Sequence, residues 1–88
     1  MQTFQRYTPH ATRPGAIVVR LYHSGDQIRG YTRQVAEPGT DDTIFPGEEM
    51  EPEVALRMAE NKNRETDQPV FVELSEGLQW DAAWGRLT

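Results

Sequence analysis

The residue types that most often carry enzyme chemistry stand together once, in the stretch His23-Ser24-Gly25-Asp26. A nucleophilic triad needs its serine, histidine and carboxylate within hydrogen-bonding distance of one another. Here the three are nearly consecutive at a turn, where neighbouring side chains point apart and Asp26 is better placed to bond the turn backbone. We therefore predict no catalytic residue in this stretch.

Acidic side chains are concentrated between residues 34 and 56, where seven acids and no base give a net charge of −7. Their spacing lacks the alternating acids, central glycine and closing glutamate of a calcium-binding EF-hand loop. The carboxylate pairs Asp41-Asp42 and Glu48-Glu49 would need a walled pocket to do acid–base work. Because cysteine is also absent, we predict neither a metal site nor a cofactor.

Positive charge dominates residues 1–33, which hold five arginines and one aspartate. A sheet face that combines arginine with tyrosine can stack unpaired bases and neutralise phosphates. The same face can contact an acidic protein partner, or the acidic segment that follows it can neutralise it internally. The net charge of −5 for the whole chain argues against wholesale nucleic-acid binding. The candidate binding residues are Arg20, Tyr22, Arg29, Tyr31 and Arg33.

A β-hairpin over 16–35 should position these side chains, because Gly25-Asp26 is typical of a two-residue turn between β-prone runs. The turn pairs Ser24 with Gln27 and thereby fixes the register of the whole hairpin. Alternation along the strands then separates an apolar core face from the arginine and tyrosine face. The core face carries Ile17, Val19, Leu21 and Ile28, with Gly30 leaving room opposite Leu21.

The hairpin needs a helix to cover its apolar face, and 52–64 is the best candidate, with Pro52 suited to the first helical position. A third strand is predicted over 69–74. A right-handed connection through the helix would bring this strand back to the sheet beside the first hairpin strand and antiparallel to it. The predicted fold is therefore a small two-layer α+β domain, with one helix on a three-stranded, mainly antiparallel sheet.

Two segments are predicted without regular structure. Prolines interrupt residues 1–15, which we expect to be a flexible N-terminal segment before a single domain over 16–88, with a short strand at TFQRY as the alternative. Three turn signals in 36–51 indicate a long acidic loop. Its apolar pair, Ile44-Phe45, is a candidate contact for a partner.

The C-terminal residues predict a short helical turn over 79–85. Trp80, Ala83, Trp84 and Leu87 follow the helical period. We expect the two tryptophans to complete the core, and the alternative is that they contact a partner or a second copy of the chain.

Together these features predict a small, non-catalytic binding domain whose ligand is a protein partner or a second copy. Single-stranded nucleic-acid binding is the alternative, and a small enzyme or metal-dependent protein is the third hypothesis. No apolar run is long enough to span a membrane, so we expect no membrane association and a cytoplasmic location. Arginine supplies eight of the nine basic residues, which is typical of a GC-rich bacterial genome; selection for planar, bidentate donors is the alternative.

Overall fold

Among the residues that the structure describes, a mixed six-stranded sheet with one helix on one of its faces forms the fold. The computed structural model describes residues 3–8, 12–64 and 68–88. The elements are β1 Thr3–Arg6, β2 Ile17–Ser24, β3 Gln27–Gln34, β4 Thr43–Met50, α1 Pro52–Lys62, β5 Phe71–Leu74 and β6 Arg86–Leu87. The order across the sheet is β4-β3-β2-β5-β1-β6, so the predicted α+β class is confirmed while the predicted three strands understate the sheet.

The central hairpin has the predicted register, from Ser24 paired with Gln27 to Ile17 paired with Gln34. Its turn requires a left-handed backbone at Gly25, where φ is 64°. The register is also enforced by close packing within the core. A Cβ added at Gly30 would lie 2.5 Å from the Leu21 Cδ2 atom.

Helix α1 covers the apolar face of the hairpin, as predicted. Its buried face consists of Ala55, Leu56 and Ala59, and the two alanines let the helix pack closely on β2 and β3. Thr32 is fully buried beneath the helix, where its hydroxyl donates a hydrogen bond to the Ala55 carbonyl at 3.0 Å. Burial of each large apolar side chain in this layer stabilises the fold by about 1.5–3 kcal/mol.

The acidic segment 36–51 is not the continuous loop that the sequence predicts, because residues 43–50 form the edge strand β4. The turn signal Pro46-Gly47 is compatible with a strand only at an edge or a bulge, and β4 provides both. Charged side chains on an edge strand also discourage pairing with another sheet. The turn residues and acids of this segment therefore led to the prediction of a loop where the chain forms a strand.

Strand β5 lies beside β2, as predicted, but it runs parallel to β2 and not antiparallel. The register pairs Val18 with Phe71 and Leu21 with Leu74. The reason is β4, which was not predicted: the chain reverses once more after β3, so β4 runs parallel to β2. The connection through α1 then returns the chain to the sheet in that same direction, and β5 is therefore parallel to β2 as well.

The N-terminal residues Thr3–Arg6 lie within the sheet as β1, as the short-strand alternative predicted, and not in a flexible segment. Strand β1 pairs in parallel with both β5 and β6. Phe4 is only 1% exposed and belongs to the main core. The predicted domain therefore begins before residue 16. Residues 1–2 and 9–11 lie outside the described part of the chain.

The connection from β5 to β6 brings both tryptophans to the side of the sheet that carries α1. The Trp80 ring meets the Phe4 ring edge to face at 5.8 Å, and Trp84 meets Trp80 at 5.2 Å. The Trp80 indole also donates a hydrogen bond to the Gly85 carbonyl at 3.0 Å. The predicted turn over 79–85 is a 3₁₀ helix of three residues, Ala82–Trp84. Both rings are partly buried against the main core.

Candidate binding face

The face of the sheet opposite α1 carries four of the five predicted Arg and Tyr residues as one compact group. We call Arg20, Tyr22, Arg29 and Tyr31 the Arg/Tyr quartet. The strand register sets Arg20 opposite Tyr31 and Tyr22 opposite Arg29. The two tyrosines therefore share one diagonal of the hairpin, with ring centroids 6.0 Å apart and planes inclined at 54°. The two arginines occupy the other diagonal.

Both arginines of the quartet keep their charge available to a ligand. Arg20 is exposed and Arg29 is half-exposed. Arg29 donates a hydrogen bond to the neutral side chain of Gln27. Within the described part of the chain, the ion pairs involve neither of these arginines.

Arg33 behaves differently from the quartet, because it is already engaged inside the protein. It forms ion pairs with Asp42 at 3.2 Å and with Glu73 at 3.3 Å. Its guanidinium also lies over the Tyr7 ring, 5.1 Å from the centroid. Asp42 belongs to the acidic segment, so part of the internal neutralisation considered from the sequence is present. Arg33 therefore links β3 to Tyr7, Asp42 and Glu73, and its charge is paired within the protein.

A bulge in β4 brings a carboxylate onto the open face beside the quartet. Phe45 pairs with Thr32 while Met50 pairs with Gly30, so the four residues 46–49 of β4 stand opposite the single residue 31 of β3.

This carboxylate is that of Glu49, which accepts a hydrogen bond from the Ser24 hydroxyl at 3.4 Å. Burial, and then hydrogen bonding to the neighbouring Glu49, raise the pKa of Tyr22 above its ordinary value. An anion thus lies at one margin of the quartet, beside the Ser24 and Tyr22 side chains.

Ile44 and the tryptophans, the other predicted contact residues, lie on different faces. Ile44 is 51% exposed and pairs with Arg33, so it shares the open face. Trp80 and Trp84 pack on the opposite side of the sheet with the main core. The predicted contact at the Phe45 side chain lies outside the described part of the structure.

A second, smaller apolar cluster supports the open face from within. Val18 and Phe71 are buried there, with Tyr7 and Val35 packed against them. Tyr7 and Glu73 also belong to this face, although neither was predicted from the sequence. Alternation within the strand 69–74 would have assigned Glu73 to it, since Phe71 and Glu73 point the same way. No comparable signal was available for Tyr7, which follows a strand only four residues long.

Neither a metal centre nor a triad is assembled among the described residues. They include no group of three His, Cys, Asp or Glu side chains that could hold a metal ion. His23 and Ser24 are neighbours in β2 and so project to opposite faces of the sheet. The helix of the described chain is not long and apolar enough to cross a membrane.

Comparisons with protein-family models, with curated proteins and with solved structures found no match to this chain. Its function is therefore argued from the open face itself.

Proposed function

We propose that the chain is a non-catalytic binding module and that it contacts a protein partner through the open face of its sheet. The observation that carries the proposal is the Arg/Tyr quartet. It presents two adjacent, half-exposed tyrosine rings between two arginines that have no ion-pair partner among the described residues. Tyrosine and arginine are the residue types, with tryptophan, that most often dominate the binding energy of protein interfaces.

The quartet is also held rigidly, which lowers the entropy lost on binding. Its four residues lie on β2 and β3, the two longest strands in the interior of the sheet. The buried side chains of Val18 and Phe71 anchor the same face. A tyrosine on such a support offers a large contact area with few rotatable bonds.

The charges around the quartet favour a protein over single-stranded nucleic acid. Two tyrosines beside two arginines could stack bases, but a nucleic acid brings a continuous series of phosphates. Asp42, Glu49 and Glu73 interrupt the positive charge on this face. A protein partner with a mixed surface can match such a pattern, and nucleic acid is the second candidate.

We place the partner contact on the open face and not at the two tryptophans, because these rings pack on Phe4 and on each other. Ile44 extends the proposed contact, since it is exposed on the same face at the β4 edge. A second copy of the chain is one form that the partner can take.

The test is site-specific photocrosslinking in cells that express the chain. A benzophenone amino acid replaces Tyr31 in one chain and Arg57, which is exposed on α1 across the sheet, in a control chain. We expect a protein adduct from position 31 and none from position 57. Arg20→Gln with Arg29→Gln in the same chain should remove that adduct.

The composition of the adduct distinguishes the alternatives. An adduct that contains only this chain identifies the partner as a second copy. An adduct that nuclease removes would replace the proposal with nucleic-acid binding. Equal adducts from positions 31 and 57, or none from position 31, would refute the open face as the binding surface.

A further inference from the structure

The internal contact of Glu49 indicates what kind of partner the open face accepts. We propose that the partner is an extended peptide segment with two carboxylates, which bind Arg20 and Arg29, and that Glu49 of the chain competes with this segment for the face. This inference rests on the proposed function and specifies its ligand. It also assigns a regulatory role to the bulge over residues 46–49.

The spacing of the two arginines suits carboxylates at alternate positions of an extended chain. Arg20 and Arg29 lie on a diagonal of neighbouring antiparallel strands, which separates such residues by about 7–8 Å. In an extended peptide, side chains two residues apart lie on the same side and about 6.5–7 Å from each other. Each arginine can then take one carboxylate through a charge-assisted, bidentate pair.

Only an isolated pair of negative charges fits this surface well. The third arginine of the face, Arg33, is occupied by Asp42 and Glu73. Glu73 also stands opposite Arg20 in the register between β2 and β5. A longer run of negative charge would meet these carboxylates, so the geometry favours a segment with two acids among neutral residues over a polyanion.

Glu49 already places a carboxylate at the edge of the proposed site. The Ser24 hydroxyl donates a hydrogen bond to it at 3.4 Å, and it also lies beside Tyr22, which belongs to the quartet itself. The Glu49 side chain is exposed and the distance to Ser24 is long for a hydrogen bond. The contact is therefore weak enough for a partner to displace. Where Glu49 occupies the face in part of the molecules, the apparent affinity for the peptide segment equals the intrinsic affinity multiplied by the fraction of molecules in which the face is free.

The test measures fluorescence anisotropy with a labelled short peptide that has two glutamates, two residues apart, in a serine and glycine sequence. The control peptide has glutamine at both positions. Glu49→Gln should bind the glutamate peptide about 3- to 10-fold more tightly than the unmodified chain, and should not gain affinity for the glutamine peptide. Ser24→Ala, which loosens the same contact without changing the charge, should give a smaller gain in the same direction.

Glu53→Gln is the matched control, because it removes one charge from the exposed side of α1, across the sheet from the quartet. We expect it to leave the affinity within about 2-fold of the unmodified chain, since exposed charges beyond a Debye length are screened. Adding Arg20→Gln and Arg29→Gln to Glu49→Gln should abolish binding of the glutamate peptide.

Three results would overturn the inference. Equal gains for Glu49→Gln and Glu53→Gln would show an effect of overall charge and no competition by Glu49. Tighter binding of oligothymidine than of the glutamate peptide, with a steep salt dependence, would assign the face to nucleic acid. Failure of every variant to bind the peptide, while the crosslink from position 31 persists, would reject the acidic segment and leave the proposed function standing. Loss of that crosslink as well would reject both.

Discussion

Replacement of Phe4 by alanine should destabilise the whole domain, although it is only the fourth residue of the sequence. The ring is 1% exposed and sits in the main core, edge to face with Trp80 at 5.8 Å. Deleting a buried phenylalanine ring costs about 3–5 kcal/mol through lost transfer energy and the cavity left behind. A chain of this length has a total free energy of unfolding of about 4–13 kcal/mol. The variant should therefore lose about a quarter or more of its stability.

Urea unfolding followed by far-ultraviolet circular dichroism measures this loss, and tryptophan emission follows the local change. Phe4→Ala should lower the urea midpoint strongly and shift the emission to the red, because Trp80 loses the ring that shields it. Gln5→Ala is the matched control, since Gln5 is the next residue of β1 and is exposed. It should change the free energy of unfolding by less than about 0.5 kcal/mol. Equal midpoints for the two variants would refute the placement of β1 inside the sheet.

Three further predictions concern the helix interface and the open face. Gly30→Ala should destabilise the fold by about 1–3 kcal/mol in thermal unfolding, because the added methyl group would meet Leu21 at 2.5 Å, and an unchanged melting temperature would contradict the close packing. Thr32→Val should lower the free energy of urea unfolding by about 1–2 kcal/mol, because a buried helix carbonyl loses its hydroxyl donor at 3.0 Å; a neutral effect would show that this bond contributes nothing. The raised pKa of Tyr22 predicts a contribution to stability that is fully present below pH 10, the ordinary value, and is lost as pH rises through the folded pKa. Tyrosinate absorbance should show that Glu49→Gln lowers this pKa, and an identical titration would contradict the contact.

The part of the fold that followed from the sequence is the part fixed by local chemistry. The glycine of Gly25-Asp26 admits a left-handed turn, and that turn determines every pair of the β2–β3 hairpin. Alternation then placed the core side chains on one face and the Arg/Tyr quartet on the other. Pro52 and the apolar arc behind it similarly located α1.

The remainder depended on contacts between distant parts of the chain. An edge strand tolerates the proline and glycine that usually end strands, so β4 resembled a loop. Missing that one strand inverted the predicted direction of β5. Strand β1 has a single core side chain, Phe4. Its burial depends on packing against Trp80 from the far end of the chain, which local sequence patterns do not predict.

The sequence predicted which residues form the candidate site, but not which of their charges are already paired within the protein. Alternation grouped Arg33 with the quartet, and the structure ties it to Asp42 and Glu73. Neither ion pair could be derived from spacing, because alternation assigns Glu73 to this face but its distance from Arg33 depends on the register of β5, and the position of Asp42 depends on the path into β4. The hydrogen bonds of Glu49 likewise depend on a bulge that sequence patterns do not specify.

Crosslinking yields from positions 31 and 57, compared in the same cells, test whether the partner binds the open face. Binding at this face predicts a protein adduct from position 31 that disappears with Arg20→Gln and Arg29→Gln, and no adduct from position 57. An adduct from position 57 alone, or one from position 31 that survives both arginine replacements, would show that the quartet is not the binding surface.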